Sequence, residues 1–382
     1  MSNIIFFIIV FSVYGAINYY IINRALLFIP AFLKPVFLII AILIAASFIA
    51  GRILERYFTS FFTDLIIWVG SYWFAFMFYF FLSLVVIDFA RLINHFIPFF
   101  PSFINAHYEK AKSVTAIVVI CLVTLAIVAG RINMLNPIIK NYSFDVNKNA
   151  GGLKSLNVVL ISDVHLGTII GKSFLHNIEQ KINALNPDIV LMAGDVVDED
   201  VQSVIKNNIG DELRGIKSKY GVFAITGNHE YIGGVEPAVK YLTEHGINVL
   251  RDSVYKIEDK LYIVGREDRA KNTFTKTKRK SLPEIMEGVD KSLPVILMDH
   301  QPFALQEAVE NGADIQLSGH THNGQLWPLN FITDLVYEVG FGYKKKENTH
   351  VYVSCGVGGW GPPVRTNSRP EIINIKVNFK ND

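Results

Sequence analysis

The sequence predicts a chain in two parts: a bundle of about four transmembrane α-helices over residues 1–130, then an α/β domain in which two β-sheets are faced by helices. Three observations carry this prediction. Residues 1–130 hold only eleven charged side chains. From about residue 131, short apolar runs alternate with helical spacing. Five polar motifs, most of them directly behind such a run, occur in one order: Asp163-x-His165, Gly194-Asp195-x-x-Asp198, Gly227-Asn228-His229-Glu230, His300, and Gly319-His320-Thr321-His322.

The first part contains four charge-free apolar stretches, about 4–23, 35–51, 65–87 and 113–130. Crossing a hydrocarbon core of roughly 30 Å takes about 20 apolar residues in a helix, with about 17 as the lower limit. The first and third stretches exceed that and the other two sit near it. A buried soluble helix would be the alternative, but four runs in succession with almost no polar face argue against it. Asn18 and Ser83 are expected to find partners on neighbouring helices. Tyr72, Trp73 and Tyr79 are expected to pack within the third span. Met1-Ser2-Asn3 carries no basic residue and no small-x-small site follows, so residues 1–23 read as a retained anchor, not a cleaved signal.

Basic residues flanking the spans divide evenly. Arg24, Lys34, Arg91, Lys110 and Lys112 fall on one side, and Arg52, Arg56, Arg131, Lys140 and Lys148 on the other, so loop charge selects neither topology. Cys121 lies mid-span and Cys355 in the second part, which argues against an intramolecular disulfide. A formal net charge of +2 makes no case for nucleic-acid binding. Nothing in the sequence sets an oligomeric state.

Residues 131–155 read as a linker with a first strand, and residues 156–382 as the main domain. Strands are predicted at 156–161, 189–193, 222–225, 254–257, 261–264, 295–298, 315–317, 351–354 and 372–377. Helical pieces fall at 174–185, 204–216, 236–245, 283–288 and 303–310. Buried strands separated by helices imply right-handed crossovers and a largely parallel sheet. The strand count fits two sheets better than one. In such sheets ligands collect outside the carboxyl ends of the strands, which would bring the five motifs together.

Carboxylate, amide and imidazole groups are the ligands of hard and borderline metal ions. Two ions about 3.5–4 Å apart can clamp a phosphate, generate hydroxide from bridging water and assist in-line displacement. Each motif alone is a modest signal, and Asp-x-His or Gly-Asp after a strand is often only a turn. Their joint occurrence is what points to a dinuclear site. His176, His245 and His350 stand outside the motifs and read as ordinary helix, turn and strand residues, and His95 and His107 as interfacial.

In these motifs the sequence resembles the calcineurin-like metallophosphoesterase superfamily, whose order is D-x-H, G-D-x-x-D, G-N-H-[DE], H and G-H-x-H. The match runs from about Tyr142 onward. The resemblance implies a four-layer αββα sandwich of two mixed sheets. It also implies two divalent or trivalent ions, drawn from Mn²⁺, Fe and Zn²⁺. Asp163, His165 and His322 would hold one ion, and Asn228, His300 and His320 the other, with Asp195 bridging. His229 would contact the phosphoryl oxygen and assist the leaving group. Asp198 and Glu230 would stand behind the ligands and orient imidazoles.

Gly319–Gln325, the run from Ser354 to Arg365, Arg369-Pro370-Glu371-Ile372 and Gly265-Arg266-Glu267-Asp268-Arg269 are also similar to the YkuE/YaeI-type membrane-associated phosphoesterases. Arg365 and Arg266 are then candidate substrate-binding residues, Arg365 gripping phosphate in bidentate fashion. The alternative for Arg365 is a structural pairing with Glu371 or another partner. Five basic residues in 271–280 read as a solvated loop, with lipid headgroups as the other possible partner.

The resulting expectation is a multi-pass enzyme of the cell membrane, its catalytic domain on the extracytoplasmic side as the resemblance suggests. It would hydrolyse a phosphate ester or pyrophosphate bond by attack of metal-bridged hydroxide, on a lipid or other phosphorylated small molecule, with membrane lipids as partners. Two other readings are a phosphoesterase of a soluble nucleotide signal with the helices as sensor, and a non-catalytic membrane scaffold.

Overall fold

The computed structural model describes residues 2–58 and 60–380. The chain divides into two compact units, Met1–Gly130 and Arg131–Asp382.

Among the described residues of the first unit, three helices are long and apolar enough to cross a membrane: Ala31–Glu55, Phe61–Phe96 and Tyr108–Met134. The predicted count of four thus becomes three. The remaining expected span, 4–23, lies within the helix Ser2–Ala25, but some side chains in its opening turns lie outside the described residues. Phe61–Phe96 has 36 residues. At about 1.5 Å per residue it is far longer than a hydrocarbon core is thick. Gly70 lets this helix meet its neighbour closely, because a Cβ there would stand 2.4 Å from the Phe48 backbone. Asn18 is buried, donating to the Tyr14 carbonyl and accepting from the Trp73 indole, each at 2.9 Å. Trp73 therefore packs inward, as its place in the third span predicts.

The second unit has twelve strands in chain order: β1 (Ile138–Val146), β2 (Ser155–Ile161), β3 (Ile189–Met192), β4 (Val222–Ile225), β5 (Asn248–Leu250), β6 (Ser253–Ile257), β7 (Leu261–Gly265), β8 (Val295–Met298), β9 (Ile315–Ser318), β10 (Gly342–Lys346), β11 (Thr349–Val353) and β12 (Glu371–Phe379). They form two six-stranded sheets, β1-β12-β2-β3-β4-β5 and β10-β11-β9-β8-β7-β6. Within the first, β2 to β5 run parallel and β12 is antiparallel to β2. Within the second, β7, β8, β9 and β11 run parallel, with β6 and β10 as antiparallel edges.

Leu156, Val158, Leu160, Leu191, Phe223, Ile263, Ile296, Leu317, Tyr352 and Ile375 come from both sheets and share one core, so the sheets lie face to face. The outer face of the first sheet is covered by Leu175, Ile178 and Ile182 of the helix Lys172–Ala184. That of the second is covered by Leu282 and Ile285 of the helix Leu282–Ile285. Strands buried on both faces explain the continuous apolar runs that mark β3, β4 and β8 in the sequence. The result is the four-layer αββα sandwich. Strands β5 and β10 were not anticipated. β5 is three residues long, and β10 is the polar segment GYKKK, which has no buried side chain to reveal it.

Candidate metal centre

Three short loops behind β2, β3 and β4 are tied to one another before any metal is considered. The Asp163 amide donates to the Gly194 carbonyl and the His165 amide to the Asp195 carbonyl, both at 3.0 Å. The His229 amide donates to Asp195 Oδ1 at 2.8 Å. Glu230 accepts from the amides of Gly227, Val197 and Asp195 at 2.7, 2.9 and 3.2 Å. Asp163, His165, Asp195, His320 and His322 all have φ between 49° and 73°. This left-handed region is costly for residues with a Cβ and is held only where the surroundings impose it. Gly227 and Gly194 are required for close approach: a Cβ would fall 2.1 Å from Asp195 Oδ1 in the first case and 2.6 Å from His300 Nδ1 in the second.

The second sheet supplies the other candidate ligands. His300 follows β8 and is fully buried; its Nδ1 donates to the Ala193 carbonyl at 2.7 Å, and its Nε2 lies 3.1 Å from Asp195 Oδ2. His320 and His322 follow β9. The His320 amide donates to Asp163 at 3.0 Å, and its Nδ1 to Asn228 Oδ1 at 2.8 Å. His322 Nε2 lies 3.1 Å from His165 Nε2 and 3.5 Å from Asp163 Oδ1.

Two groups of ligand atoms result, Asp163-His165-His322 and Asp195-His300-His320, each gathered within 4.8 Å. A third gathering of the same kind, His165-Asp195-His229, brings in the residue expected to assist the leaving group.

The electrostatics fit cations at these points. Burial lowers the pKa of His320 to about 3, helped by His300, and holds His322 well below the ordinary imidazole value. Both are therefore neutral, the form that ligates. Burial pulls His300 down too, but the Asp195 carboxylate outweighs it and raises this imidazole well above its usual value. Burial raises the Asp163 carboxyl, with Asp195 adding to the effect. His165 Nδ1 and His300 Nε2 are buried without a hydrogen-bond partner. Close carboxylates and imidazoles with orphaned nitrogens are what a bound cation would satisfy.

His229 is nearly buried, with Nδ1 3.0 Å from Asp198 Oδ1 and 3.9 Å from Glu199 Oε1. Burial opposes its protonation, but Asp195, Asp198 and Glu199 together push it up to about 9. Asp198 thus accepts from the His229 imidazole. Glu230 holds backbone amides, because it is the third residue of the helix Asn228–Gly233 and closes a capping box there. Burial, then the Asp195 charge, pushes its carboxyl up to about 7.

The two candidate substrate arginines lie elsewhere in their contacts. Arg365 is fully buried, donating to the carbonyls of Gly358 and Cys355 at 2.8 and 2.6 Å, to Ser368 Oγ at 3.0 Å and to His322 Nδ1 at 2.9 Å. It braces a loop and a ligand, so the structural alternative describes it, with partners other than Glu371. Arg266 is also buried, bonded through Nη1 to Asp299 at 3.0 Å and Glu307 at 2.7 Å. Arg279, in the basic run, likewise binds Asp299 at 2.8 Å, and Lys271 pairs with Glu267.

Two residues near the centre lie in stretches that the sequence singled out without giving either of them a role. Asp268 is fully buried behind His300, bonded to the Gln301 amide at 2.9 Å, with burial raising it to about 6. Trp360 stands edge-on to His229 with 5.8 Å between ring centroids. His176, His245 and His350 lie away from the centre: His176 pairs with Glu179, His245 bonds the Tyr241 carbonyl and His350 stacks on Phe144.

The family model for the calcineurin-like phosphoesterases matches residues 156–324. A transmembrane protein with metallophosphoesterase domain from Danio rerio is 35% identical over 271 residues, 67% of this chain and 62% of that one. An uncharacterised metallophosphoesterase of Helicobacter pylori is 33% identical over 60% of this chain and 61% of its own length. The Bacillus subtilis metallophosphoesterase YkuE is 27% identical over 58% of this chain and 78% of its own. The chain spans about three fifths of the length of the first two relatives. Every motif residue lies around the carboxyl ends of β2, β3, β4, β8 and β9 and within the residues that this family model matches, so this part of the chain is similar to the calcineurin-like phosphoesterases.

Proposed function

We propose that the chain is a membrane-anchored phosphoesterase with a dinuclear metal centre, acting on a phosphate ester or pyrophosphate bond. The observation that carries this is the pair of candidate ligand groups, Asp163-His165-His322 and Asp195-His300-His320, with Asp195 Oδ2 lying 3.1 Å from His300 Nε2 and 3.9 Å from His165 Nε2. Asn228, whose Oδ1 faces His320, would complete the second group. Two bound ions, Mn²⁺, Fe or Zn²⁺ by donor type, would supply charge neutralisation and an activated water.

The chain's own residues do the rest. Asp198 accepts from His229 Nδ1, which leaves Nε2 as the proton-bearing edge toward a leaving oxygen. Glu230 fixes the amides of Asp195 and Gly227 so that the ligand loops cannot drift apart. Asp268 and the Ala193 carbonyl hold the surroundings and tautomer of His300.

A lipid or lipid-linked phosphate is the proposed substrate, because tethering in the bilayer raises the local concentration of such molecules at the site. The extracytoplasmic side is the proposed location of the domain, on its resemblance to envelope phosphoesterases, and a C-terminal reporter fusion tests it. The chemistry is tested by hydrolysis of p-nitrophenyl phosphate and its bis-ester by the purified full chain, with Mn²⁺ and after chelation. Metal-dependent turnover that disappears in Asp195→Asn is expected. Absence of bound metal would overturn the reading.

A further inference from the structure

The helix Asn330–Val336 buries none of its side chains. Its sequence, NFITDLV, exposes Phe331, Ile332, Leu335 and Val336, with Leu335 87% accessible, and Trp327 just before it is exposed as well. A contiguous apolar surface of this kind on a soluble domain marks an interaction site. This one borders the metal centre. A Cβ on Gly324 would lie 2.4 Å from the Asn330 amide, so the helix starts against the segment that carries His320 and His322. Tyr337, immediately after the helix, lies 6.2 Å from the His320 ring. On another side Trp360, also exposed, stands against His229.

What covers this ledge follows from where the chain enters the domain. Residues 131–134 form the last turn of the helix Tyr108–Met134, which is apolar enough to cross a bilayer, and residues 135–136 follow it directly. Within the domain the Asn133 amide donates to the carbonyls of Arg365 and Ser368 at 2.8 and 3.1 Å. The Trp327 amide donates to Thr366 Oγ1, in the same loop, at 3.0 Å. One loop, 356–370, therefore bonds the start of the domain at Asn133, carries the exposed Trp360 and bonds the root of the apolar helix. Arg131 and the exposed Arg369 stand at that same end, with the signs that suit lipid phosphates. A short apolar helix with tryptophans beside basic residues has the composition of a segment that lies in a membrane interface.

We propose that Asn330–Val336, with Trp327 and Trp360, seats in the lipid surface and opens the metal centre onto the plane of the headgroups. The occupant is the bilayer. That the headgroups presented there include the substrate rests on the lipid reading given above.

The test is made on the full chain, in a Cys121→Ser background. Leu335→Cys carries an environment-sensitive nitrobenzoxadiazole label, and the protein is reconstituted in phosphatidylcholine–phosphatidylglycerol vesicles. Ile205→Cys, exposed on a different helix, serves as the reference. Expected are a blue-shifted emission at position 335 and quenching by doxyl-labelled lipid at least about threefold stronger than at position 205. Trp327→Cys should behave like Leu335→Cys, which guards against one variant misfolding. Quenching no stronger than at position 205 overturns the proposal. A blue-shifted but unquenched label overturns it too, because protein, such as a second copy, would then cover the ledge. The readout needs no turnover, so an inactive enzyme leaves it intact, and its failure leaves the hydrolase reading standing.

Discussion

Arg365 Nη2 donates to His322 Nδ1 at 2.9 Å, and this single bond decides which edge of the imidazole turns toward Asp163 and His165. With Nδ1 occupied, Nε2 is left toward Asp163 and His165. A permanently charged donor also keeps His322 from taking a proton, since burial and the neighbouring His165 and Arg365 charges all depress it. The guanidinium holds a candidate metal ligand in one tautomer.

Arg365→Lys is accordingly expected to weaken metal binding at the Asp163 side by about 10–100-fold, the usual cost of losing a partner behind a ligand. A lysine cannot reach Gly358, Cys355, Ser368 and His322 at once. Titration calorimetry of Mn²⁺ into the metal-free full chain measures it. Unchanged affinity would remove Arg365 from the centre.

His300→Ala should reduce the bound metal from two ions toward one, because His300 serves one group only, whereas Asp195→Asn should impair both. Metal analysis of the purified variants by mass spectrometry distinguishes the two patterns. Equal losses in both variants would contradict the assignment of Asp195 as the shared ligand.

His229→Ala is expected to slow hydrolysis by about 10²–10⁴-fold for alkyl phosphate esters, the range of general acid–base assistance. The loss should be much smaller for a nitrophenyl ester, whose leaving group departs stable as an anion. Comparing kcat for the two ester types in wild type and variant gives the answer. If the loss is the same for both, His229 acts on the phosphoryl oxygen or on metal binding and not on the leaving group.

Gly194→Ala and Gly152→Ala both place an alanine at positive φ, 88° and 79°. Only the first meets an obstacle, His300 Nδ1 at 2.6 Å, while Gly152 faces open space. The shared backbone strain costs on the order of 1–2 kcal/mol in each. Thermal denaturation should therefore show comparable or greater destabilisation for Gly194→Ala, and turnover should fall only there. Full activity in Gly194→Ala would mean that His300 can retreat without consequence.

Much of the architecture was legible without coordinates. β4 and β8 match the predicted strands at both ends, and β2, β3 and β9 within one residue, since strands buried on both faces leave uninterrupted apolar runs. Elements whose stability comes from elsewhere were harder to see. The stretch 204–216 reads as one helix but forms Val201–Lys206 and a 3₁₀ segment, Ile209–Gly215, with Asn208 in a left-handed conformation between them. β10 exists because β11 pairs with it, not because of its own residues.

By itself the sequence determined the division into an apolar first part and an α/β second part, the sandwich, and which residues gather as candidate metal ligands. Each of these depends on local composition or on a residue type that little else can replace. Tertiary structure alone decided what the surrounding charges do. Arg365 and Arg266 became braces, Glu230 a holder of amides, Asp268 a neighbour of His300, and the helix Asn330–Val336 an exposed ledge beside the centre. A charged side chain takes its role from whichever partners burial brings within about 3 Å, and an apolar one from what remains to cover it. Those neighbours come from distant parts of the chain, so only the folded molecule specifies them.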